Sequence, residues 1–106
     1  MTTYRNLGQV APAATTATTL YTAAGPVVCS TVAVCNRGAA GTTFRLAHRV
    51  GGAALSNEMY VFYDTPIGAN STAMFTLGMC MSNTDVLTCY ATLATVSFNA
   101  WGVEAP

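Results

Sequence analysis

The chain has no lysine, and its 106 residues hold only four arginines, two aspartates and two glutamates. Ionised side chains make up 8% of the sequence, against about 25% in an ordinary soluble domain. The formal net charge is zero. That balance excludes the basic footprint that nucleic acid requires and the cationic patch that holds a protein to an anionic membrane. Histidine occurs once, at His48, and no CxxC pair accompanies it, so neither a metal site nor a cofactor is expected. The longest uncharged stretch, residues 6–36, is broken by Pro12, Pro26 and many threonines. It lacks the run of about 20 apolar residues that a membrane helix needs. Arg5 is followed by no apolar core, so no secretory signal is read there.

What remains is apolar. Hydrophobic residues make up 52% of the chain, which excludes disorder, and the length fits one domain over residues 1–106. Thr, Val, Tyr and Phe dominate, and turn signals recur about every 8–12 residues, the spacing of an all-β sandwich or barrel. Residues 4–10 read as a first strand. Val27–Asn36 is nearly continuous apolar sequence, as expected of a strand covered on both sides. Residues 42–50 alternate, with Phe44, Leu46, His48 and Val50 on one face and Thr43, Arg45, Ala47 and Arg49 on the other. Residues 53–57 suit a loose helical turn, residues 58–64 an aromatic strand and residues 66–70 a loop. In residues 71–77, Ala73, Phe75 and Leu77 lie opposite Thr72, Met74 and Thr76. Residues 85–91 and 93–101 complete the set, with Val96 and Phe98 inward.

The expected fold is therefore all-β: a single antiparallel β-sandwich, jelly-roll-like, of seven or eight short strands. Residues 1–22 supply an extended N-terminal arm and the first strand. Within that arm the uncharged tract containing Ala11, Pro12, Thr15 and Thr16 suits strand addition, to a neighbour or to a distant edge of its own sheet. Natural sheets guard their edges with lysine, proline or bulges. A sandwich with no lysine and so few charges is expected to live inside an assembly that covers its edges and apolar faces.

Catalytic patterns are lacking. There is no GxSxG elbow and no phosphate-cradling glycine loop. Glu58 and Asp64 bracket one strand about 20 Å apart, too far for a glycosidase pair, which needs roughly 5–9.5 Å. His48 falls on an apolar strand face and reads as a hydrogen-bonded core or interface residue; Asp85 reads as the cap of its own turn. Cys29 and Cys35 lie about 20 Å apart in one strand and cannot pair. Buried free thiols are the favoured reading of the cysteines, with a Cys80–Cys89 disulfide across a turn as the alternative. No enzyme is expected. Arg37, Arg45 and Arg49 are candidates for bidentate pairs with Glu58, Asp64 or a partner's carboxylate. Trp101 with Tyr60, Phe62 and Tyr63 is a candidate aromatic platform for a host-surface glycan, although half core and half interface is the favoured reading of those rings.

Several segments carry a resemblance. Leu7-Gly8-Gln9, Ala11-Pro12-Ala13-Ala14-Thr15-Thr16 and Leu20-Tyr21-Thr22 open it. Val34-Cys35-Asn36-Arg37, Thr43-Phe44-Arg45, Gly52-Ala53-Ala54-Leu55, Tyr63-Asp64 and Pro66-Ile67 follow, then Thr84-Asp85-Val86-Leu87, Tyr90-Ala91-Thr92 and Ser97-Phe98-Asn99. In order and spacing these segments resemble small virion structural proteins encoded in tailed phages and prophages. Cys29, Cys80, Cys89 and His48-Arg49-Val50 depart from that pattern. The resemblance implies a virion location and partnership with other virion proteins. The expected function is adhesive: homo-oligomers, expected to be trimers, on the tail, baseplate or fibre, with capsid decoration as the other station. A receptor- or carbohydrate-binding module is the alternative of another class. Ala11, Pro12, Thr15, Thr16, Arg37, Arg45, Arg49 and Trp101 are the expected interface residues, burying area worth about 25 cal/mol per Å².

Overall fold

Alternating β-branched and small polar residues, punctuated by Gly, Pro and Asn turns, fold into eight strands in the computed structural model, which describes residues 3–105. Met1, Thr2 and Pro106, which the expected domain also spans, lie outside the described residues. The strands are β1 (Thr3–Val10), β2 (Thr18–Thr22), β3 (Val27–Asn36), β4 (Thr42–Arg49), β5 (Tyr60–Ile67), β6 (Thr72–Met81), β7 (Val86–Ala91) and β8 (Val96–Glu104). They form two antiparallel four-stranded sheets: sheet I in the order β1-β8-β3-β6 and sheet II in the order β2-β7-β4-β5. Only the β4–β5 connection stays within one sheet; every other connection crosses between them. That nested order is the double Greek key of a jelly roll. The expected all-β sandwich is the observed fold.

The N-terminal tract does not project. Residues 11–17 cross from β1 in sheet I to β2 in sheet II, and the Thr15 amide donates to the Ala91 carbonyl at 2.8 Å. The strand it adds is β2, which pairs with β7 on the edge of its own sheet. Pro66, expected in a loop, lies inside β5. It is tolerated there because β5 is an edge strand whose second side needs no ladder donor. Instead of one helical turn at residues 53–57, two short 3-10 turns, Val50–Gly52 and Asn57–Met59, flank that stretch.

The core lies between the sheets. Val32, Val34, Phe44, Leu46, Leu87, Cys89, Val96 and Phe98 are fully buried in it. Phe44 sits at its centre, with ring centroids 5.8 Å from Phe62, 6.0 Å from Phe75 and 6.1 Å from Phe98. The two long sides of the sandwich differ. On the β1/β2 side the sheets meet closely around buried Leu7 and Leu20; a Cβ at Gly8 would lie 2.1 Å from the Leu20 carbonyl oxygen. On the β5/β6 side only side chains meet. Phe62 and Phe75 stack with centroids 4.3 Å apart, while Ala73, Leu77 and Met79 stay half-buried beside them.

The expectation that β3 is covered on both sides is corrected. Its inner residues are buried, but Val28 and Ser30 on the outer face are exposed. Sheet II lies on one face of sheet I, and among the described residues no element packs on the other.

Candidate functional site

That bare outer face is assembled by register. Tyr4 pairs with Val103 and Asn6 with Trp101 across β1 and β8; Val28 pairs with Val103 and Thr31 with Trp101 across β8 and β3. Val28 then pairs with Cys80 and Ala33 with Met74 across β3 and β6. Directly paired residues share a face, so the row from Tyr4 to Met74 forms one surface. Its large apolar side chains are open to solvent: Tyr4 is 82% exposed, Met74 64%, Val28 41% and Trp101 37%. A shallow hollow of about 510 Å³ is lined by Tyr4, Arg5, Asn6, Ser30, Trp101, Gly102 and Val103.

No ionised side chain stands on this face among the described residues. Arg5 and Glu104 alternate to the inward side of sheet I, where they pair at 3.1 Å and Glu104 also accepts the Tyr21 hydroxyl proton. Arg45, Arg49 and Asp64 belong to sheet II, while Arg37, Glu58 and Asp85 lie in connections. A neutral surface carrying Tyr, Trp and Met has the composition of the centre of a protein interface.

The expected arginine pairs divide. Arg45 meets Asp64 bidentately, at 2.7 and 3.3 Å. Its guanidinium lies between the Tyr63 and Tyr90 rings, 4.2 and 4.4 Å from their centroids, and the Asp64 hydrogen bond pushes its pKa further up. Arg49 takes no carboxylate: it donates to the Ala53 and Gly52 carbonyls and straps down the β4–β5 connection. Arg37 donates to the Ala94 carbonyl at 3.1 Å, and Glu58 accepts from Ser56. Each of these three arginines therefore holds its own domain. Of the expected interface residues, Ala11, Thr15 and Thr16 are exposed on the β1–β2 crossing, whereas Pro12 is buried there.

Two readings that the sequence held only as alternatives do not fit the structure. Trp101 stands on sheet I, while Tyr60 and Tyr63 stack edge-to-face at 4.8 Å on β5 of sheet II and Phe62 points into the core. The four rings do not form one platform, because residues 60–63 and 101 sit in opposite layers. All four cysteines are free thiols. The turn between Cys80 and Cys89 joins different sheets: Cys80 is exposed on β6 and Cys89 is buried on β7, its thiol donating to the Thr18 carbonyl. Burial pushes the Cys29 thiol up to about 11 and Cys89 up to about 12, which suppresses the nucleophilic thiolate. Cys35 is half-buried, so only Cys29 and Cys89 fill the buried-thiol role. Among the described residues no three His, Cys, Asp or Glu side chains gather in a group that would hold a metal ion.

Buried polar hubs fasten the two ends of the sandwich. At one end Asp85 accepts from the Gly51 amide at 2.8 Å, the Ser82 amide at 3.1 Å and His48 Nε2 at 2.9 Å. An ionised carboxylate only accepts, so the proton of that pair sits on the imidazole nitrogen. The Gly51 amide, followed by His48, holds the Asp85 carboxyl below its ordinary 3.8. A carboxyl depressed by folding contributes stability above its unfolded value and loses it as the pH falls through the folded one. The stability gap between wild type and Asp85→Asn, read from urea midpoints at pH 7 and pH 2.5, is expected to be wide at pH 7 and to narrow in acid. An equal gap at both values would remove the carboxylate from this role.

At the other end sits a residue that sequence reasoning passed over. Asn36 is fully buried. Its Nδ2 donates to the carbonyls of Ala40 at 2.8 Å and Gly68 at 3.1 Å; its Oδ1 accepts from the Gly38 amide at 3.0 Å and the Thr95 hydroxyl at 2.9 Å. One amide thus ties together the β3–β4, β5–β6 and β7–β8 connections. The available signal was an Asn ending an apolar strand one residue before a turn.

The domain is thus an eight-stranded jelly roll with an uncharged, aromatic-bearing outer sheet face. Neither the family models, the curated proteins nor the solved structures contain a match to the chain.

Proposed function

We propose that this protein is a structural component of a virus particle, a tailed-phage protein that self-associates through the outer face of sheet I. Closed homo-oligomers, expected to be trimers, would sit on the tail, baseplate or fibre, with capsid decoration as the second station. The observation that carries this reading is the contradiction in β3. Its sequence VVCSTVAVCN is composed for cover on both sides, yet Val28 stands 41% exposed beside Trp101 and Val103. A neighbouring copy supplies the missing cover. The resemblance to phage virion proteins and the jelly-roll order, which viral coat domains share with lectins and cupins, agree with it.

Sedimentation equilibrium of the purified chain is expected to give a multiple of the monomer mass. The double variant Val28→Lys, Trp101→Arg should lose every species larger than a dimer with unchanged circular dichroism, since both side chains already face solvent. A wild-type monomer at millimolar concentration would overturn self-association through this face. Antibody labelling of purified particles reads the station, and particles free of the chain would end the virion assignment.

A further inference from the structure

Four strands are sheet edges: β1 and β6 in sheet I, β2 and β5 in sheet II. Three of them are blunted. β1 carries a register shift between Asn6 and Gly8 and closes against β2; β2 is five residues long and shifts between Thr19 and Tyr21. β5 contains Pro66, and Asp64 has a φ of 47° where its register to β4 breaks. The fourth edge is different. Residues 72–76 of β6 run in unbroken register beside β3, from Cys35↔Thr72 to Thr31↔Thr76. They hold no charge, no proline and no bulge until Gly78, whose φ is 60°.

This segment is also incompletely covered on both of its faces. Ala73 and Phe75 point inward but stay half-buried, at the side where the two sheets meet only through side chains. Met74 points outward and is 64% exposed. An open ladder, a half-covered inner row and a bare outer row coincide on five residues.

We propose that residues 72–76 pair antiparallel with the same residues of a second copy, across a two-fold axis at Met74. The sequence TAMFT is self-complementary in that register. Thr72 stands opposite Thr76 of the second copy twice over, a favourable cross-strand pair. Ala73 stands opposite Phe75, small against large, and Met74 opposite itself with no charge to repel. The Gly78 bulge ends the contact and so fixes its register. Sheet I becomes an eight-stranded sheet spanning two copies, and the pair is isologous, as a two-fold requires. Five paired residues make a small interface, so the dimer forms in a concentration-dependent way. The inference names a second contact between copies and does not depend on the virion assignment.

The test is register-specific crosslinking. Residues directly opposite in an antiparallel pair have Cα atoms about 4.5–5.5 Å apart, inside the disulfide range of about 4.4–6.8 Å. In a background of Cys35→Ser and Cys80→Ser, Met74→Cys is expected to form a covalent dimer under mild oxidation. Its yield should exceed that of Val61→Cys, an exposed β5 control, by about tenfold, reflecting the effective concentration within the pair. Thr72→Cys mixed with Thr76→Cys should crosslink, and neither should do so alone. Adding Thr76→Lys to Met74→Cys should abolish the dimer. Equal yields from Met74→Cys and Val61→Cys, or a yield indifferent to Thr76→Lys, would overturn the pairing. Val28→Lys with Trp101→Arg leaves the β6 crosslink intact, so failure of one contact is read separately from failure of the other.

Discussion

Phe44→Ala is expected to lower the unfolding free energy by about 3–5 kcal/mol, the cost of removing a buried phenyl group and leaving its cavity. The site cannot collapse easily. Phe44 is fully buried on β4 of sheet II, and its ring meets Phe75 of β6 and Phe98 of β8 in sheet I as well as Phe62 of β5. Removing it separates the layers at their centre and leaves three rings each without one neighbour. Small domains hold only about 5–15 kcal/mol in total, so the variant should lose a large share of its urea midpoint. Val28→Ala, on the exposed face, should change it by less than about 0.5 kcal/mol in the dilute monomer. A loss at Phe44 no larger than that at Val28 would contradict the placement of the core.

The second large effect is expected at Asn36. Asn36→Ala deletes two donors and two acceptor contacts at once, and each carbonyl or amide left buried without a partner costs about 1–3 kcal/mol. A net loss of about 3 kcal/mol is expected, because solvent will reach some of the abandoned groups. Asn36→Asp separates hydrogen bonding from shape. It keeps the acceptor for Gly38 and Thr95 but turns an ionised oxygen toward the Ala40 and Gly68 carbonyls. That carboxyl is favoured in its neutral form, so the Asp variant should regain stability as the pH falls from 7 toward 4. Flat behaviour across that range would mean that Asn36 only fills space.

Where a strand's own periodicity carries the information, the sequence was readable. β3 runs over Val27–Asn36 as expected, and the inward sets Phe44 with Leu46, Ala73 with Phe75 and Leu77, and Val96 with Phe98 face the core. The pairing of Arg45 with Asp64 and the hydrogen-bonded roles of His48 and Asp85 were legible too. What periodicity cannot say is which layer a strand joins. Trp101 and Tyr63 look alike in sequence and lie in opposite sheets, and the Cys80–Cys89 turn looks like a hairpin but links two layers. Ends of elements moved for local reasons. β6 continues past Leu77 because Gly78 takes a positive φ that lets the strand bulge and go on, and β5 extends through Pro66 because it is an edge. Asn36 was missed because a buried amide announces itself only through three loops that are distant in sequence.

The nested pairing has a cost in time. β1 bonds to β8 alone, and β2 bonds only to β7, so the first strands made have no ladder until the last ones leave the ribosome. Topologies with such distant pairings fold slowly, on the order of milliseconds to seconds. During that interval the nascent chain shows oily, unguarded strands to every sibling around it. A chain ordered in this way meets any partner already shaped, or not at all.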